Sequence, residues 1–120
     1  MDASAAIKAL SALSQPTRLE AFRLLVRSGD DGMAAGGIAR ALEIPHNTLS
    51  SHLGILVNAG LVTSRREGRS IIYRIEFDGT RDLLSYLMED CCQGHPELCR
   101  PALETTLPRC CDESAARSAR

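Results

Sequence analysis

A mainly helical domain carrying one two-stranded β-hairpin is what this sequence predicts, and three observations predict it. Apolar residues recur at spacings of three and four through most of positions 5–59. The period falls to two from Leu61 to Ile75, on either side of a glycine. Aromatic side chains are scarce, with two Tyr, two Phe and no Trp, so the apolar content is Leu, Ile, Val and Ala, which suits helices packed on helices. A chain of 120 residues supports one domain with a modest core.

The elements follow in order. Ile7, Leu10 and Leu13 form an apolar series that predicts a short first helix ending near Ser14. Ser14-Gln15-Pro16-Thr17 is a stop-and-restart signal, with polar caps and a proline suited to a first helical turn. Leu19, Phe22, Leu25 and Val26 line one face of the next helix, which ends at Gly29-Asp30-Asp31-Gly32. A short helix from Ala34 to Leu42 follows, with Ile38 and Leu42 one turn apart. The segment Glu43 to His46, containing Pro45, separates it from a helix spanning Asn47 to Ala59. That helix sets Leu49, Leu53, Leu56 and Val57 on one stripe and stops at Gly60. Val62–Arg66 and Ser70–Ile75 flank Glu67-Gly68-Arg69 as a hairpin, with Ile71, Tyr73 and Ile75 on one face. A last helix, about Thr80 to Cys91, carries Leu83, Leu84, Leu87 and Met88. Residues 1–99 are expected to form the domain, and residues 100–120 a flexible tail of low hydrophobicity.

Two helices joined by so short a turn have the spacing of a helix-turn-helix. On the second, Asn47, Thr48, Ser51 and Asn58 lie opposite the leucine stripe, with His46 at the start and His52 at the rim. Small polar side chains are what a helix needs to approach base edges in a major groove. A solvated helix face would look the same in isolation, but the hairpin adds to it. Four arginines against two glutamates leave positions 61–76 with a net charge of +2, and Arg65, Arg66 and Arg69 flank the tip, where they can meet phosphates. The chain as a whole carries −1, so any nucleic-acid surface must be local.

The stretches ALSQPTRLEAFRLL, IARALEIPHNTLSSHLGILVNAGLV and RREGRSIIYRI resemble, in order and spacing, the signature segments of the ArsR/SmtB family of metal-responsive repressors. The resemblance covers about residues 5–92. It implies a winged helix-turn-helix that dimerises through its first and last helices, binds double-stranded operator DNA and leaves it when an inducer binds. A homodimer also answers a physical need, because Ile7, Leu10, Leu84, Leu87 and Met88 would otherwise be left partly exposed on a thin fold.

The inducer has to be argued from this chain's own residues. Many arsenic-responsive relatives carry Cys-x-Cys before the reading helix, where this chain has Met33-Ala34-Ala35-Gly36-Gly37. Zinc-responsive relatives pair Asp and His across the last helices. Here that helix offers Asp82, Glu89 and Asp90, and its nearest histidine, His95, lies beyond the helix end. All five cysteines fall instead between Cys91 and Cys111. Met1-Asp2-Ala3-Ser4 lacks the basic start of a signal peptide and no stretch approaches the ~20 apolar residues of a membrane span, so a cytoplasmic location and reduced thiols are expected.

Trivalent arsenic or antimony takes three soft thiolates. Cys91 and Cys92, with Cys99 after a Gly/Pro bend, can supply them, as in family members with a C-terminal cysteine site. Zinc bound by these three and His95 is one alternative, and a thiol switch or inert cysteines are others. Cys110 and Cys111 are a second pair of accessory character. No organic cofactor is expected. A thiol enzyme would want its cysteine at a helix N-terminus, and these follow a helix C-terminus. Metal storage would leave the helix-turn-helix unexplained.

Overall fold

The computed structural model describes residues 1–88. Within them lie α1 (Ala3–Leu13), α2 (Pro16–Ser28), a 3-10 turn (Gly29–Asp31), β1 (Met33–Ala34), α3 (Ala35–Leu42), α4 (His46–Asn58), β2 (Val62–Glu67), β3 (Ser70–Ile75) and α5 (Phe77–Met88). Met1–Tyr86 form one compact unit; of the remainder, Leu87 and Met88 are described, and both are exposed. This is the predicted mainly helical domain with a β wing, and no described helix is long and apolar enough to cross a membrane.

Local chemistry accounts for the helix boundaries. Asp2 caps α1, its Oδ1 accepting from Ala5 N at 2.8 Å. Gln15 does the same for α2, accepting from Arg18 N at 2.9 Å, and Pro16 occupies the first helical turn. The α3–α4 turn is Glu43-Ile44-Pro45, with Glu43 left-handed at φ 57°, and Ile44 N closes it onto Ala39 O at 3.2 Å. Pro45 then offers its carbonyl to Leu49 N at 3.0 Å, so α4 opens at His46, one residue ahead of the expected start.

The core is aliphatic. Leu25, Ile38, Leu49, Leu53, Leu56, Leu61 and Ile75 are fully buried, and no polar side chain among the described residues is. On α1 it leaves Ile7 and Leu10 in solvent, as the sequence reading expects of a lone protomer, and on α2 it differs from the expected face. The buried side of α1 is Ala6, Ala9 and Ala12, while Ile7 (63% exposed) and Leu10 (42%) turn outward. Small alanines let α1 lie close against α2 and α4. On α2, Ala21 and Leu25 are buried, and Leu19 and Val26 lie exposed. Leu83 is the buried residue of α5, and Leu84 is 58% exposed.

The sheet has three strands where two were expected, in the order β1-β3-β2 and antiparallel throughout. Met33 pairs with Tyr73 and Ala34 with Ile72 along one edge of β3, while Val62 to Glu67 pair with Ile75 to Ser70 along the other. The hairpin loop is Gly68-Arg69; positive φ at Gly68 (61°) and not at Arg69 fits a type II′ turn, which suits the twist of the strands. A two-residue strand is too short to show a period of two.

α5 begins three residues before the expected Thr80. Glu76 N donates to Leu61 O at 2.9 Å, and Glu76 O accepts from Thr80 N at 3.0 Å and from Thr80 Oγ1 at 2.9 Å. This first turn presses on the turn between α4 and β2, so that a Cβ at Gly79 would collide with the Gly60 carbonyl oxygen. Gly79→Ala is therefore expected to destabilise the fold by about 1–3 kcal/mol. Urea unfolding should show a lower midpoint at unchanged slope.

Candidate nucleic-acid interface

The burial of Leu49, Leu53 and Leu56 leaves the opposite side of α4 in solvent. His46, Asn47, Thr48, Ser50 and Ser51 are all exposed at its N-terminal end. Pro45 supplies no side-chain cap; Asn47 Oδ1 accepts from Thr48 N at 3.0 Å, and the remaining first-turn amides keep their partial positive charge. Such an end attracts phosphate oxygen.

The wing adds charge on two separate faces. Strand alternation puts Arg66 on the side of Ile71 and Tyr73, and Arg65 on the other, with Ile72 and Arg74. Arg65, Ile72 and Arg74 line a shallow hollow there with Thr63 and Ser64. Arg65 Nε donates to Glu67 Oε2 at 2.7 Å, both side chains being about half exposed. An ion pair so open to water is worth about 0–1 kcal/mol, so a phosphate can readily displace the glutamate.

A second groove joins the two parts of the interface. His46 and Ser50 of α4 face Arg69 at the wing tip across it, and Ala34–Gly36 at the start of α3 and Tyr73 complete the walls. His46 and Arg69, 23 positions apart in sequence, thus border one groove. Ser50 lies among the candidate residues by its exposure and position, although sequence reasoning passed over it. The signal was available, since Ser50 follows His46 by one helical turn.

His52 has a different setting from the rest. It is half-buried, and its Nδ1 lies 3.3 Å from Arg18 Nη1 of α2. The candidate thiols Cys91, Cys92, Cys99, Cys110 and Cys111, and His95, lie outside the described residues. Among the described residues, no three His, Cys, Asp or Glu side chains gather as a metal site would require.

Comparison with known proteins agrees with this geometry. Residues 13–65, which span α2 to most of β2, match the helix-turn-helix domain family. An uncharacterised HTH-type transcriptional regulator of Methanocaldococcus jannaschii is 34% identical over 84 residues, covering 70% of this chain and 92% of that protein. The transcriptional repressor SdpR of Bacillus subtilis is 32% identical over 87 residues, covering 72% and 93%. Among solved structures, the homodimeric winged helix-turn-helix DNA-binding domain of a possible ArsR-family regulator from Mycobacterium bovis superposes with a TM-score of 0.59. It is 28% identical, covering 77% of this chain and 85% of that one.

Opposed substitutions in the wing test its assignment. Arg69→Ala should weaken binding to any duplex and flatten the plot of log affinity against log salt by about one unit per wing engaged. Glu67→Gln should strengthen binding to the same duplexes while changing stability by no more than about 1 kcal/mol. Anisotropy titrations at several salt concentrations, with thermal unfolding alongside, check both.

Proposed function

Since this chain belongs to the ArsR/SmtB family of winged helix-turn-helix transcriptional regulators, we propose that it is a homodimeric repressor released from its operator when Cys91, Cys92 and Cys99 bind trivalent arsenic or antimony. One observation carries the DNA-binding half of this reading: the polar end of α4 and the arginine-bearing wing tip border a single groove. Asn47, Thr48 and Ser51 would meet base edges, and Arg65, Arg66 and Arg69 the backbone. As a member of a family of DNA-binding regulators, the chain is not an enzyme.

The homodimer is supported by the outward-facing Ile7 and Leu10 of α1 and by Leu84 of α5, which a lone protomer leaves in water. A two-fold pair would set its reading helices about 34 Å apart, one turn of duplex. Support for the inducer comes from the donor set. Five soft sulfurs lie within positions 91–111, and Cys91 comes three positions after Met88, the last described residue of α5. Gathering those thiolates on one ion would constrain the end of a dimerisation helix. The coupling required is small, since about 1.4 kcal/mol changes operator affinity tenfold.

The test is anisotropy of the reduced full chain on duplex DNA from upstream of its own gene. Arsenite, antimonite, zinc and peroxide are titrated in separate runs. Arsenite or antimonite should release the DNA at near-stoichiometric amounts. Release by zinc alone would move the site to the three cysteines plus His95, and release by peroxide alone would make the cysteines a redox switch. Cys92→Ser should bind DNA normally and fail to respond; a variant that still responds discards the thiolate site. Ser51→Trp should abolish operator binding and leave metalloid uptake intact.

A further inference from the structure

We propose that Arg18 is a positioning residue for DNA reading, which locks His52 in the tautomer that offers Nε2–H to the duplex. The inference rests on the reading role of α4 argued above. Arg18 sits in the first turn of α2, where Gln15 already holds its backbone amide. Its guanidinium makes contacts with two other helices at once. Nε donates to Ala12 O at 2.6 Å and Nη2 to Ser11 O at 3.5 Å, both in the last turn of α1, where Ser11 O also accepts from Ser14 N at 3.1 Å. Nη1 reaches His52 Nδ1 at 3.3 Å, 34 positions away on α4.

The direction of that last bond is fixed by chemistry. A guanidinium has donors and no acceptor, so Nδ1 must be the accepting, unprotonated nitrogen. The neutral ring then carries its proton on Nε2. His52 follows the exposed Ser51 and precedes the buried Leu53, so it stands at the edge of the reading face. A ring held this way meets DNA as a donor only. It matches the acceptors of the major groove, purine N7, guanine O6 or thymine O4, or a phosphate oxygen, and it clashes electrostatically with the amino groups of adenine and cytosine. Without Arg18 the ring would sample both tautomers, and either kind of base edge would suit it.

Two substitutions separate the lock from the donor. Arg18→Ala removes the lock and keeps the imidazole. His52→Asn keeps an oxygen that can accept from Arg18 at the position of Nδ1, and removes the Nε2 donor. The first readout is long-range proton–nitrogen correlation on the full chain labelled with ¹⁵N-histidine, with the ring neutral. Wild-type His52 should show the Nε2–H form alone, and Arg18→Ala a mixture. The second readout is affinity for the upstream duplex, where each variant should lose about tenfold and the double variant no more than the weaker single.

A wild-type His52 protonated on Nδ1, or a tautomer balance indifferent to Arg18→Ala, would overturn the proposal, as would losses that simply add. If Arg18→Ala fails to fold by thermal unfolding, the wild-type tautomer and the His52→Asn affinity still decide. If the wild-type chain does not bind the duplex at all, the DNA-reading assignment falls, while the spectrum alone decides the lock.

Discussion

Three leucines on the inner side of α4 determine where everything else can go. Leu49, Leu53 and Leu56 are completely withdrawn from water, in a cluster with Leu25 of α2 and Ile38 of α3. Each contributes about 1.5–3 kcal/mol relative to an exposed side chain, against about 0.5–1.5 kcal/mol for a typical hydrogen bond between neutral groups. With the inner stripe so strongly committed, the helix cannot rotate about its axis, and its polar side must face out. The orientation of the proposed reading surface is thus a by-product of burial. Leu61 and Ile75 extend the same cluster into the hairpin, so helix and wing share one core.

Charge then acts on a scaffold already in place. Arg65, Arg66 and Arg69 of the wing lie exposed, and the ion pair of Arg65 is solvated and weak. A chain of net charge −1 can still bind a polyanion because four of its arginines gather on the hairpin. The surface is cheap to form and readily given up, which suits a contact that has to be reversible.

Much of this was legible from the sequence, for identifiable reasons. A leucine stripe at helical spacing over 13 residues reports α4 directly, and alternation around Gly68 reports the hairpin. What escaped lay below the length at which periodicity exists, or depended on partners distant in sequence. β1 is two residues long. The start of α5 was hidden because Asp78-Gly79 resembles a turn, and only the approach of Gly60 explains a glycine inside a helix. On α1 the exposure of Ile7 and Leu10 was legible, whereas the close packing of Ala6, Ala9 and Ala12 was not, because alanines carry little periodic signal. The contact between Arg18 and His52 spans 34 positions and leaves no local trace. The thiol site rests on the spacing of Cys91, Cys92 and Cys99 and the chemistry of soft ligands, and it lies outside the described residues.

The short first strand has a mechanical consequence. By pairing with Ile72 and Tyr73, β1 clamps the root of β3 on the side that β2 leaves open, while Arg66 to Ile71 project as a free two-stranded ribbon. The wing is a cantilever, pinned at its base and unloaded at its tip. Residues added in pairs, one to each strand, would extend its reach by about 3.3 Å per pair, alternating the faces at the tip. Nothing at the root would have to change, and the core would not register the difference. Groove geometry and base preference could then drift independently between descendants of such a chain, one through the ribbon's length and the other through a few side chains on α4.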